Sequence, residues 1–111
     1  MSMADAARTG DPAPIFAALG DRTRLSLLMT LSDGATRSIT MLSADTSLTR
    51  QAVTKHLRVL QEAGLVESIR QGRESRFACR PVPLDEARAY LDRVARQWDD
   101  ALGRLKDFVE D

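Results

Sequence analysis

The sequence has one cysteine, one histidine, one tryptophan and one tyrosine among 111 residues, and no net charge. Each shortage closes a route. A lone Cys79 cannot form an intramolecular disulfide, which fits a reducing compartment. A lone His56, one thiol, no G-x-S-x-G and no phosphate-cradling glycine loop leave nothing to assemble for nucleophilic or acid–base catalysis. The chain is therefore read as a non-enzyme. No apolar run approaches the ~20 residues of a membrane-spanning helix, and the start MSMADAARTGDPAP carries no apolar signal-peptide core. A cytoplasmic chain with no membrane partner is the expectation, associated with the nucleoid if its partner is DNA.

The length suits one domain with a single modest core, and 43% apolar with 29% charged residues is ordinary for a globular fold. Zero net charge argues at first against a polyanionic partner, but the charge is unevenly spread. Residues 48–80 carry seven basic side chains (Arg50, Lys55, Arg58, Arg70, Arg73, Arg76, Arg80) against three acidic ones, net +4, while the flanking segments are net −1 and −3. A phosphate backbone responds to the charges near it, so the basic middle outweighs the neutral total.

Residues 1–11 are small, polar and aperiodic, the pattern of a disordered arm. Pro12 and Pro14 precede a short helix, Ile15–Leu19, stopped by Gly20. Asp21 is a good N-cap for a second helix, Arg22–Ser32, because its carboxylate can accept the free amides of the first turn. With Leu25, Leu27, Leu28, Met29 and Leu31 on several sides, this helix is expected to be the most buried. Ser38 caps a third helix, about Ile39–Ala44, and Asp45-Thr46-Ser47 makes a tight turn. A fourth helix, about Thr49–Ala63, has Ser47 or Thr49 as its cap and Gly64 in the left-handed position after it. Leu65–Arg70 and Glu74–Arg80 read as a β-hairpin turning at Gly72. Pro81 and Pro83 should break the chain before one long last helix, about Leu84–Val109.

That helix repeats its apolar residues at Leu84, Ala87, Leu91, Val94, Trp98, Ala101, Leu105 and Phe108, a 3-4 alternation. At 1.5 Å per residue it exceeds what the rest of the domain can cover, so the seam through Leu91, Val94, Trp98, Leu105 and Phe108 is expected to meet a second copy of the chain.

The fourth helix carries the function. Wound at 100° per residue, Val53, Leu57 and Leu60 form a buried stripe, and Gln51, Thr54, Lys55 and Arg58 lie opposite, with Arg50 at the margin. Around its first two turns the charges are only positive. Such a helix suits a DNA major groove, where Arg pairs bidentately with guanine, Gln with adenine, and a Thr methyl touches thymine. A solvated polar face is the plain alternative, and periodicity alone does not separate the two. Context does: a short helix, a tight turn and an amphipathic second helix make a helix-turn-helix, followed at once by a hairpin with Arg70, Arg73 and Arg76 around its turn.

These stretches, FAALGDRTRLSLLMTL and LTRQAVTKHLRVLQEAGLVESIRQGRESRFA, resemble the winged helix-turn-helix of bacterial ArsR-type repressors over about residues 14–80. The matching positions include Leu19, Asp21, Thr23, Arg24, Leu28, Leu31, Leu48, Val53, His56, Leu57, Leu60, Ala63, Gly64, Leu65, Val66, Arg70, Gly72, Arg73 and Phe77. The resemblance implies a mainly α fold, α-α-α-α-β-β-α, with the hairpin as wing. It also implies a homodimer built from first and last helices, which adds Ile15 and Phe16 to the interface, and repression from an imperfect palindrome. The expected division is residues 1–11 as arm, 12–82 as DNA-binding domain and 83–111 as dimerisation helix. Arg50, Gln51, Thr54 and Lys55 are the candidate base readers; Thr49, Arg58, Arg70, Arg73 and Arg76 are the candidate backbone contacts. Docking of the same basic face onto an acidic partner protein is the alternative from another class.

Many such repressors sense metal through cysteines on the helix before the recognition helix, or through His/Asp/Glu sets on the last one. Here the first of these reads SITMLSAD and the last has no histidine, so no metal and no cofactor is expected. His56 is read as scaffold or phosphate contact, and Cys79 as a small packed hydrophobe. Trp98 and Tyr90 are aromatics at helical spacing, read as seam rather than effector pocket.

Overall fold

The structure, a computed structural model, describes residues 11–44 and 46–110. The expected arm over 1–11 lies outside the described residues except for Asp11, and Asp45 of the turn does too. Among the described residues, five helices and a small sheet follow in the order α1 (Ala13–Leu19), α2 (Arg22–Leu31), β1 (Arg37–Ser38), α3 (Ile39–Ala44), α4 (Arg50–Glu62), β2 (Val66–Gln71), β3 (Glu74–Cys79) and α5 (Pro81–Glu110). The sheet is antiparallel with order β1-β3-β2.

Local chemistry sets the boundaries. The Gly20 amide donates to the Ala17 carbonyl at 3.3 Å, and the Asp21 carboxylate accepts from the Arg24 amide at 3.0 Å, so α1 ends and α2 begins within two residues. Ser38 Oγ accepts from the Met41 amide at 3.2 Å and starts α3. Thr49, of the two caps considered, is the one used for α4: its Oγ1 accepts from the Ala52 amide at 3.1 Å. At the far end the Gly64 amide reaches Gln61 O (3.0 Å) and the Leu65 amide reaches Leu60 O (2.9 Å). This paired closure requires a left-handed residue, and Gly64 supplies it with φ 77°. Gly72, at φ 62°, makes the hairpin turn in the same way.

One core joins the elements. Ile15, Leu31, Val53, Leu57, Leu60, Leu65 and Val66 are the largest fully buried side chains. They tie α1, α2 and α4 to the base of the wing, with Leu42 of α3, Phe77 of β3 and Ala87 of α5 completing the cluster.

Four expectations need correction. On α2 only Leu27, Leu28 and Leu31 are buried; Leu25 and Met29 are 50% and 74% exposed. Three neighbours, α1, α4 and β3, cover one sector of that helix, and residues 25 and 29 fall outside it. The strand β1 was not foreseen, because two residues carry no period; its pairing of Arg37 with Phe77 and Ser38 with Arg76 is purely tertiary. Pro81 and Pro83 do not break the chain but open α5, where a missing amide costs nothing because first-turn amides have no intrahelical acceptor. The boundary expected at 82/83 therefore falls within the first turn of α5. Finally, Ile15 has no exposed surface and belongs to the subunit's own core, not to a partner contact.

α5 has 30 residues, about 45 Å of helix, and its first third packs on the body. Pro83 packs near Gly64, Ala87 is buried, and the Tyr90 ring lies 5.8 Å from that of Phe16. Beyond this, Leu91, Trp98, Leu102, Leu105, Phe108 and Val109 are each more than half exposed. No helix among the described residues is long and apolar enough to cross a membrane.

The loop into β1 is held by an ion pair. Arg37 donates to both carboxylate oxygens of Asp33, at 3.1 and 2.7 Å, and to the Thr30 carbonyl at 2.6 Å. The Arg37 guanidinium, with the Ala35 amide, holds the Asp33 carboxyl at about 2 against an ordinary 3.8. A lowered folded-state value contributes stability that is full above pH 3.8 and is lost as pH falls toward 2. Urea midpoints measured from pH 5 to pH 2 should therefore fall less steeply in Asp33→Asn than in the wild type.

Candidate nucleic-acid interface

The outer face of α4 is built by the burial of its inner one. With Val53, Leu57 and Leu60 at 1% exposure or less, the opposite side of the helix must face outward. Arg50, Gln51, Lys55 and Arg58 are all exposed there, and Thr54 is half-buried. Together with Thr49, Ala52 and Ile39 of α3 they line one open concavity of about 700 Å³. The four expected base readers and two of the expected backbone contacts thus share a single surface. Thr54 Oγ1 donates to the Arg50 carbonyl at 2.7 Å, which commits its proton to the helix. Thr49 Oγ1 accepts from the Ala52 amide, so its own proton remains available to an acceptor outside.

On the wing, Arg73 is exposed beside Gly72, and Arg70 is exposed with its Nε donating to the Gly72 carbonyl at 3.3 Å. Arg76 stands apart from these two. It is directed across β3 to β1 and α3, with Nη2 donating to the Thr36 carbonyl at 3.1 Å and lying 3.3 Å from Met41 Sδ. Nη1 is 3.9 Å from the Glu74 carboxylate. Arg76 fastens the wing to the body, and it does not join the candidate contact surface. The cause is β1: by pairing Arg37 and Ser38 with β3, the strand brings the carbonyl of the neighbouring Thr36 within reach of Arg76.

The orientation of α4 against α2 depends on a polar junction that the sequence pattern did not reveal. Arg24 Nε donates to the Ala18 carbonyl at 2.5 Å and Nη2 to Ala17 at 3.3 Å, so the C-terminal carbonyls of α1 receive a cation. Arg24 Nη1 also lies 3.4 Å from His56 Nδ1, and the Asp21 carboxylate lies 3.7 Å from the same nitrogen. The hydrogen bond from the Arg24 amide holds the Asp21 carboxyl below its ordinary pKa, and the nearby Arg24 and His56 act in the same direction, while partial burial opposes them. His56 is therefore a half-buried scaffold residue joining α1, α2 and α4. A signal was present: Asp21, Arg24 and His56 all belong to the motif, but nothing in a linear pattern says that they meet.

Cys79 ends β3 and is partly buried, and burial pushes its thiol upward. The neutral thiol is the poorer nucleophile. Among the described residues no three His, Cys, Asp or Glu side chains converge to hold a metal ion. Of the expected seam, Leu91, Trp98, Leu105 and Phe108 are exposed and Val94 is half-buried, on one side of α5. Phe16 is half-buried against Tyr90 at the foot of that side.

Comparison with known proteins agrees with this geometry. A helix-turn-helix domain family model matches residues 19–69. The HTH-type transcriptional regulator YuzN of Bacillus subtilis (strain 168) is 44% identical over 70 residues, covering 58% of this chain and 76% of that protein. Among solved structures, an ArsR-like transcriptional regulator from Rhodococcus sp. RHA1 superposes with a TM-score of 0.77 at 39% identity, over 87% of this chain and 91% of that one. A homodimeric winged helix-turn-helix DNA-binding domain from Mycobacterium bovis, a possible ArsR-family regulator, gives 0.61 at 26% identity, over 83% and 85%.

The cap on α4 is open to a direct check. Thr49→Ala removes the acceptor for the Ala52 amide and should lower stability by about 1 kcal/mol in urea unfolding, with the cooperativity of the transition unchanged.

Proposed function

The chain belongs to the ArsR-type winged helix-turn-helix family of DNA-binding transcriptional regulators, and we propose that it is a homodimeric repressor of an imperfect palindrome. The observation that carries the proposal is the outer face of α4, where four exposed polar side chains stand with no acid in the first two turns. In this reading α4 enters the major groove. Arg50, Gln51 and Lys55 contact base edges, and the Thr54 methyl lies against thymine. Arg58, Arg73, Arg70 and the Thr49 hydroxyl hold phosphates, with the wing meeting the backbone beside the groove.

The unpaired apolar side of α5 supports the dimer. Contiguous exposed Leu91, Trp98, Leu102, Leu105, Phe108 and Val109 form a patch that a monomer in water rarely tolerates. A second α5 related by a twofold axis would cover it, and the same axis would present two α4 helices to two half-sites. A homodimer is the state named for the M. bovis domain of similar fold. Repression then follows from occupancy of promoter DNA. No cofactor is part of the reading.

Two measurements test it. Lys55→Ala or Arg50→Ala should change which sequences are preferred, by about 1–3 kcal/mol at the position read, whereas Arg73→Ala should weaken all duplexes alike. If the purified protein fails at low salt to separate its own upstream DNA from random duplex, the reading fails, and binding of an acidic protein to the same face becomes the better one. For the seam, Trp98→Glu should convert dimers to monomers in sedimentation; an unchanged dimer contradicts the assignment.

A further inference from the structure

We infer that Arg22, with the hydroxyls of Thr23, Ser26 and Ser47, forms a second phosphate-holding site on the flank of α4 away from α3. The inference rests on the DNA-binding reading and deepens it. A helix lying in a major groove about 12 Å wide has a phosphate strand on either side, and its own diameter is 10–12 Å. Both flanks of α4 therefore come within reach of backbone. On the flank toward α3, Arg50 and Arg58 line the concavity that includes Ile39. The opposite flank faces α2, as the approach of Arg24 and Asp21 to His56 shows. There α4 presents His56 and Val59, both half-buried, while its cations Arg50, Lys55 and Arg58 line the other concavity. A cation for that strand has to come from another element.

Arg22 is in the required place. It is the first residue of α2 and lines an open concavity of about 360 Å³ with Thr23, Ser26, Leu27, Thr46, Ser47 and Leu48. Residues 46–48 lead directly into Thr49, the cap of α4, so the concavity adjoins the end of α4 that reads bases. Arg22 is exposed. Arg24, the neighbouring cation, is engaged with the α1 carbonyls. Thr46 Oγ1 donates to the Ser43 carbonyl and accepts from the Leu48 amide, so Thr46 is committed locally and shapes the wall. One guanidinium with three hydroxyl donors in a concave, apolar-floored site matches a phosphodiester oxygen pair. The occupant is the duplex backbone, because residues 46–48 of the concavity lead into the N-terminal cap of α4 and Arg22 brings a cation to the flank on which α4 has His56 and Val59.

Salt dependence tests this without identifying the operator. Each phosphate contact contributes about 0.9 to the slope of log K against log salt. Arg22→Ala should reduce the slope by about 0.9 and affinity about eightfold at 0.1 M salt, with sequence preference retained. Arg22→Lys should restore most of the slope. Arg22→Glu serves as the folding control: an acid at the first turn of α2 favours the helix, so Tm should hold or rise while affinity falls further. Ethylation interference on the wild type should mark a phosphate in each half-site that Arg22→Ala no longer marks. An Arg22→Ala protein with wild-type slope and footprint overturns the inference while leaving the DNA reading intact. Absence of salt-dependent binding in the wild type overturns the DNA reading itself. Inorganic phosphate at constant ionic strength separates a free-anion pocket from a backbone site: saturable shifts of the Thr23 and Ser26 amides, with an unaltered DNA slope in Arg22→Ala, overturn the assignment to DNA.

Discussion

Val53, Leu57 and Leu60 are buried together on one side of α4, and what the helix presents on its other side follows from that burial. A 13-residue helix of such polar composition has little reason to form alone in water; its stability comes from one apolar stripe pressed into a core. Fixing that stripe fixes every other direction on the helix. Gln51, Lys55 and Arg58 are carried outward by geometry, and no separate interaction is needed to display them. The core that holds α4 is drawn from α1, α2 and the wing, with Leu42 of α3 and Ala87 of α5 at its edges.

Two polar devices then remove the freedom that a greasy contact would leave. Apolar packing is tolerant of rotation and sliding, whereas hydrogen-bonded charges are not. Arg24 joins the last carbonyls of α1 to His56 on α4, with Asp21 serving both as the cap of α2 and as the neighbour of His56. Arg76 does the corresponding work for the wing, binding β3 to Thr36 beside β1. Recognition helix and wing are thereby held to the same body. Arg24 and Arg76 are thus scaffold, while the exposed cations Arg50, Lys55, Arg58, Arg70 and Arg73, together with Arg22 from outside the basic segment, have surface to offer.

Much of this was legible in the sequence, and the failures have a common cause. α3 and α4 were bounded to within a residue because caps, a terminal glycine and an apolar period are local signals, and local signals are what a sequence displays. The candidate reading face followed directly from the same period. Composition gave a different result on α2, where Leu25 and Met29 are as apolar as their buried neighbours and only the placement of α1, α4 and β3 distinguishes them. Arg76 and Ile15 were misplaced for the same reason: a β1 strand of two residues and a core beneath α1 exist only once the chain has closed. Pro81 and Pro83 were read as breakers when they stand in the single turn of a helix where proline is favourable. Arg22 escaped notice because it lies 28 residues from Arg50, on a helix whose sequence speaks only of burial.

In the proposed mode of binding, α4 reads base pairs and α5 sets two copies of it in register. Selection of bound duplexes from a random pool addresses both parts together. The enriched sequences should form one motif with two inverted half-sites, centred about one helical turn apart or a multiple of it. Enrichment of a single half-site, or recovery of a pool no different from its input, would contradict the claim.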